Sequence, residues 1–310
     1  MNHSAAILIC TKNRPGYLEN TLNRILGARL TNVNQILVAD GSDNGLTRIL
    51  CERLTLQSKF LAINWIPIDG GKPSALNQGF NRLQAFGVIH CVDDDITIPV
   101  DYFTTVEDFL MEHLDIVGVA PLIRNRTSSS QYIENHKNAG LVTRYGVNYW
   151  FNELQNLPAF EYSDWLPGGA CSYRTSALRH VTSSSLLHNT DVNYALGDDV
   201  DLSIQVSSAG KLACITSLEV IHEEATSLSS SNRIHELDVA RAKWKIYLWR
   251  NYPGRFSMLQ ILSWDLFSGI YHILLRDQLM TSARLFTYFR AFGKEAWSLR
   301  KNTGNTPSER

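Results

Sequence analysis

Residues 87–103 read GVIHCVDDDITIPVDYF. The apolar run 88–92 has the length of a buried strand, and it delivers the chain straight into Asp93, Asp94 and Asp95. Three adjacent carboxylates repel one another, and a divalent cation is the most direct compensation. Hard oxygen ligands suit Mg2+ or Mn2+, with substrate phosphates and water completing the shell. The plainer alternative is a solvated turn that ends the strand before Pro99. The residues around the triplet decide between the two.

Upstream, strand-like and helix-like segments alternate. Residues 5–10 read as a strand, 15–29 as a helix opened by proline, 35–39 as a strand and 46–57 as a helix. Residues 62–67 read as a strand, 72–86 as a helix after Gly70-Gly71, and 88–92 as a strand. That order predicts a doubly wound α/β sheet flanked by helices, with ligands beyond the carboxyl ends of its strands. The polar clusters CTKNRP, ADGSDNG, DGGKPSALNQG and DDD all fall at such ends. Residues 124–162 are polar and irregular, as expected of a loop region over a site. Beyond them come the strand-like DWLPGGACSYR, a helix in YALGDDVDLSIQVSSAG with acids at its start, and a strand in LACITSLEVIHEE.

The 310 residues carry a formal net charge of −1, which argues against a nucleic-acid partner, but the charge is unevenly placed. Residues 241–310 hold 12 Lys+Arg against 4 Asp+Glu, and residues 1–240 hold 17 against 26. The five cysteines have no metal-ligand spacing and read as reduced, mostly buried thiols of a cytoplasmic protein. The opening MNHSAAILICTKNRP holds too short an apolar run for a signal core or a membrane span.

A second acidic cluster, Asp198-Asp199-Val200-Asp201, suits the first turn of a helix through its dipole. Inverting sugar transfer also needs a carboxylate to deprotonate the attacking hydroxyl, and Asp198 or Asp199 could serve. His222, at the end of an apolar run, is an acceptable third ligand beside carboxylate and phosphate oxygens.

In order, ICTKNRP, LVADGSDN, GGKPSALNQG, HCVDDDITIPVDYF, LPGGACSYR, LGDDVDLSIQ and VIHEE resemble the successive signatures of the family 2 glycosyltransferases. The resemblance spans residues 5–224 and implies the GT-A fold, an α/β class with a doubly wound mixed sheet. It also implies a nucleotide-diphosphate-sugar donor, a UDP-sugar favoured, and inverting transfer to a hydroxyl of a glycan or lipid-linked acceptor. Carried over by position, Thr11, Asn13, Arg14, Asp40, Lys72, Asn77, Asp93 and Asp94 would bind the donor. Gly168, Gly169 and Asp198 would line the donor sugar and acceptor, Asp199 would be the general base, and Asp95 and His222 would hold Mg2+ or Mn2+. Lys12 departs from a common tyrosine, Leu76 from a frequent arginine, Asp198 from the usual glutamate and Gln205 from a frequent arginine. No QxxRW follows, which speaks against a processive polymerase.

Two other classes compete. Val92-Asp93-Asp94-Asp95-Ile96-Thr97 fits the hydrophobic-DxDxT signature of haloacid-dehalogenase-type phosphatases, although three strand-like segments precede it. An inactive GT-A-like binding subunit is the other. A dinucleotide oxidoreductase is disfavoured because no GxGxxG follows a strand.

The expected division is a catalytic domain over 1–232 and a basic, aromatic-rich helical extension over 233–310, joined at SLSSSN, 227–232. The apolar block SMLQILSWDLFSGIYHILLRDQ contains Asp265 and His272, and an ionised aspartate at mid-bilayer costs roughly 2.5–3.5 kcal/mol. The expectation is therefore a peripheral helix on an anionic membrane surface, on the inner face of the cell membrane, with a homo-oligomer contact as the alternative.

Overall fold

The structure is a computed structural model that describes residues 4–58, 61–125, 139–148, 150–151, 156–179, 181, 197–223, 231–274 and 282–303. The chain divides into two compact units. The first comprises Met1–Leu141, Tyr149–Asp191 and Asp198–Ser227, and the second Val142–Asn148, Val192–Gly197 and Leu228–Arg310.

The first unit begins with β1 (Ala5–Thr11), α1 (Pro15–Leu26), β2 (Val33–Asp40), α2 (Leu46–Gln57), β3 (Ala62–Pro67), α3 (Lys72–Arg82) and β4 (Val88–Val92). The alternation expected from the sequence is present, with α1 and α3 shorter than their apolar pattern. At Gly27 and Leu83 the chain leaves the helix while its amide still bonds back to Asn23 and Gly79. Proline sits in the first turn of both helices, where no amide donor is needed.

Then follow β5 (Ile96–Thr97), α4 (Tyr102–Glu112), β6 (Ile116–Asn125), β7 (Phe160–Ser163), β8 (Ala170–Arg174), α5 (Thr175–Leu178), α6 (Asp198–Val206) and β9 (Lys211–His222). The strands pair in the order β3-β2-β1-β4-β8-β6-β9-β5, with β7 on β9. β1 is parallel to β2 and β4, whereas β8 runs antiparallel between β4 and β6, so the sheet is mixed. One apolar layer joins α1, α2 and α4 to one sheet face and a second joins α3 and α6 to the other. The polar clusters after β1, β2 and β3 are stitched side by side: Gly41 donates to the Thr11 carbonyl and Ile68 to the Asp40 carbonyl.

The helix α4 and strand β6 had no separate reading in the sequence. They enclose a buried polar chain in which Asn32 donates to Glu107 at 2.6 Å, Glu107 meets His90 Nε2 at 3.2 Å, and His90 Nδ1 meets Ser172 Oγ at 2.8 Å. Phe103 packs edge-on to His90 and is fully buried. Of the five cysteines, all free, four are buried, and burial pushes the Cys51 thiol up to about 12.

The second unit contains α7 (Ser231–Asn251), α8 (Met258–Leu274) and α9 (Ser282–Thr303). Its interior is charged: buried Asp238 takes a two-pronged contact from Arg284, 2.9 Å at each oxygen, and Asp265 pairs with Lys245 and the Tyr288 hydroxyl. Asp265 thus has its partners inside the helical unit. Of the expected linker, residues 231–232 belong to α7 and residues 227–230 lie outside the described residues, as do 126–138, 149 and 152–155 of the expected loop region.

Replacing Phe103 with alanine is expected to cost about 3–5 kcal/mol in denaturant unfolding, because a buried aromatic leaves a cavity. Leu56→Ala, at a side chain 88% exposed, should stay within about 0.5 kcal/mol.

Candidate active site

The strand β4 ends at the carboxyl edge of the sheet, and the backbone then gives each aspartate a different surrounding. Asp93 is partly exposed and receives Lys72 Nζ at 2.6 and 2.9 Å. Asp94 is fully buried; Thr11 Oγ1 donates to it at 2.5 Å and Arg14 Nη2 lies 2.6 Å from its other oxygen. Asp95, nearly buried, meets Arg14 Nη1 at 3.2 Å through one oxygen and His222 Nε2 at 3.3 Å through the other. Protein cations therefore supply much of the compensation that the sequence reading had assigned to a metal.

These surroundings set the proton affinities. Burial raises the Asp93 carboxyl and Lys72 works against the rise. Burial pushes Asp94 up to about 6 against the pull of Arg14 and Thr11. Burial also opposes the Lys72 ammonium, but Asp93 and Asp198 outweigh it and its pKa is raised.

His222 reaches Asp95 through the ladder. The strands β5 and β9 run antiparallel with Ile96 opposite His222, and Glu223 donates its amide to the Asp95 carbonyl. On the other side Asn125, opposite His222 in β6, places Oδ1 3.4 Å from His222 Nδ1. With Nδ1 donating to that oxygen, Nε2 turns a lone pair toward the Asp95 carboxylate, and two acceptors at that range need a proton or a cation between them. The pair fits a small divalent cation that keeps diphosphate and water oxygens, as Mg2+ and Mn2+ do. No group of three or more metal-ligating side chains occurs among the described residues.

The glycine turn before β8 is the second hub. The Gly169 carbonyl accepts the Asp93 amide at 2.8 Å, and the Gly168 carbonyl accepts Lys72 Nζ at 3.2 Å. The Asp199 carboxylate, beside this turn, accepts from Val200 N at 2.8 Å. A Cβ on Gly168 would sit 3.4 Å from both Asp199 Cβ and Lys72 Nζ, so any branched side chain would enter the site. Asp199 opens α6, and burial followed by the charge of Asp198 pushes it up to about 7, despite its donors and Lys72.

Other predicted residues have different surroundings. Asp40 is buried and accepts from Ser42 N at 2.9 Å, the Ser42 hydroxyl and Trp65 Nε1 at 3.0 Å. A carboxylate offers about four lone-pair positions, so at most one is left for a nucleobase. Asn13 adopts φ 57°, donates its amide to Ser42 Oγ at 2.7 Å and exchanges side-chain contacts with Asp43. Asn77 lines a cavity of about 180 Å3 with Asn81 and Arg179. Ser42, Trp65 and Asn125 were missed in the sequence; their roles arise from side chains meeting across strand ends. A cavity of about 470 Å3 adjoins Asp95, lined by Tyr17, Asn20, Arg24, Thr97 and Glu223.

Among solved structures the fold is similar to GalNAc-T7 with UDP, GalNAc and Mn2+, at TM-score 0.56 and 15% identity over 89% of this chain. The chain spans 59% of that protein's length. It is also similar to the mannosyltransferase PcManGT of Pyrobaculum calidifontis in complex with GDP-Man and Mn2+, at TM-score 0.53, 14% identity, 97% of this chain and 75% of that one. TarS 1–349 of S. aureus, in complex with UDP-GlcNAc, gives TM-score 0.51 and 14% identity over 94% and 80% of the two chains. No curated protein sequence matched. The profile described as Glycosyl transferase family 2 matches residues 6–181, and the chain belongs to that family. Asp199 and His222 lie beyond the matched segment.

Arg14→Ala removes the guanidinium shared by two largely buried carboxylates. Allowing for the 39% exposure of Arg14, the expected loss is about 1–3 kcal/mol by denaturant unfolding. Added Mn2+ should raise the Tm of the variant more than that of the wild type.

Proposed function

We propose that the protein is an inverting glycosyltransferase that moves a sugar from a nucleotide diphosphate, UDP-sugars favoured, to a hydroxyl of a glycan or lipid-linked acceptor in cell-envelope or polysaccharide synthesis. The observation that carries this reading is the Gly168 turn, whose carbonyl holds Lys72 and, through it, Asp93, and where an added Cβ would sit 3.4 Å from Asp199 Cβ. A base and an acidic donor edge are thereby kept within one turn of each other.

In this reading residues 1–232 form the catalytic domain. Thr11, Asn13, Arg14, Asp40, Lys72, Asn77, Asp93 and Asp94 face the nucleotide, with Lys72 and Arg14 the cations nearest the diphosphate. Asp95 and His222 hold the divalent cation, which supplies charge to the departing diphosphate. Gly168, Gly169 and Asp198 border the donor sugar and acceptor. Asp199 takes the proton of the acceptor hydroxyl as that oxygen attacks the anomeric carbon opposite the leaving group, so one displacement inverts the configuration. The Mn2+ in two of the similar structures and the nucleotides and nucleotide sugars in all three support a divalent cation and a nucleotide-sugar donor here. Residues 233–310 serve as a peripheral attachment at the cytoplasmic face of a membrane.

A panel of UDP- and GDP-sugars assayed for Mn2+-dependent hydrolysis tests the reaction class. Slow release of sugar from one donor is expected; phosphate release from simple monoesters instead would assign a phosphatase. Asp199→Asn should lower kcat by roughly 10²–10⁴-fold with donor affinity nearly unchanged, and near-normal turnover would remove Asp199 as base. Because the base must be ionised, wild-type kcat/KM should fall as pH drops through about 7, the level to which Asp199 is raised. Asp95→Ala and His222→Ala should each weaken Mn2+-dependent donor binding, read by titrating Mn2+ in a donor-binding assay.

A further inference from the structure

The second unit distributes charge and apolar surface in reverse. The inward side of α8 carries Ile261, the paired Asp265, and Gly269, where an added Cβ would lie 2.4 Å from Leu285 of α9. Its outward side carries Leu259, 77% exposed, Phe267, 68%, and Leu274, 75%, together with exposed Leu266 and Ile270. Their spacing places all five on one helical stripe, interrupted by no charged residue.

The exposed side of α9 repeats every three to four residues as Phe286, Arg290, Lys294 and Trp297. The two helices pack together where Gly269 meets Leu285.

We propose that this face of α8 and α9 is a docking surface for a lipid bilayer with anionic headgroups. Among the described residues no helix is long and apolar enough to cross a membrane, and Asp265 keeps its partners inside the unit, so the face lies on the bilayer rather than across it. Phe286 and Trp297 enter the acyl boundary beside the leucines of α8. Arg290 and Lys294 share their stripe and extend to the headgroups, as long cationic side chains do at such boundaries. The 12 basic against 4 acidic residues of 241–310 complement an anionic surface. A second copy of the chain fits less well, since a two-fold contact sets each cationic stripe against its equal, with no acidic residue among the described exposed residues of either stripe to offset it.

This deepens the peripheral attachment named above. Its test uses no sugar donor, so it fails or succeeds apart from the transfer reaction. The full chain is floated with vesicles of phosphatidylglycerol and phosphatidylcholine, and with phosphatidylcholine alone. Wild type is expected to float with the first and much less with the second. Arg290→Gln with Lys294→Gln should lose roughly thirtyfold in partitioning, two surface cations being removed. Phe267→Glu with Leu274→Glu should lose at least as much. All four positions are exposed, and circular dichroism and an unchanged thermal unfolding midpoint confirm that the variants fold. Failure of the wild type to float, or variants that float like it, overturns the proposal. A wild-type dimer in sedimentation that Phe267→Glu with Leu274→Glu dissociates, with no vesicle binding, reassigns the face to self-association.

Discussion

Three carboxylates on consecutive residues at the edge of a sheet set the terms for the rest of the first unit. Two unit charges 4 Å apart interact by about 4 kcal/mol at an effective dielectric near 20. The chain therefore brings Lys72 from the start of α3 to Asp93, Arg14 from the loop after β1 to Asp94 and Asp95, and His222 from the end of β9 to Asp95. Those partners lie 21, 80, 81 and 127 positions away in sequence, and only this strand order gathers them. The arrangement leaves the three aspartates chemically distinct: one clamped by an ammonium, one buried beneath a guanidinium and one turned toward an imidazole.

The legible part of the fold was the part governed by local pattern. Parallel strands appear as short apolar runs, buried on both faces in β1 and β4 and on one side at the edge strand β3, and each ended at a polar cluster, so β1 to β4 and the ligand edge could be placed from residues alone. Gly118 and Pro121 interrupt β6, and the register against β9 shifts beside each, which hid that strand. Site residues were legible as types at spacings. Their partners were not: nothing in the neighbourhood of Asp40 announces Trp65, and nothing near Arg14 announces Asp94, because both pairings are made by strand ends meeting in space. The cost assigned to Asp265 in a bilayer assumed a bare charge, whereas Lys245 and Tyr288 hold it within the helical unit.

The two units solve the problem of buried charge differently. In the first, ionic groups collect at an open edge where ligands can enter. In the second, Asp238 with Arg284 and Asp265 with Lys245 sit between helices. Interior pairs of this sort contribute little net stability compared with apolar packing, but they punish misalignment, since losing one partner strands a buried charge. They therefore fix which helix faces meet, and with them which faces remain outside.

Arg14 has a kinetic consequence. A site that depended on a bound cation for charge balance would resist letting it go, and the departing diphosphate would be held along with it. Here a guanidinium already touches both Asp94 and Asp95, on a side chain that is 39% exposed. In the proposed reaction Asp95 would keep this counter-charge once the cation left, so emptying the pocket need not meet an electrostatic barrier.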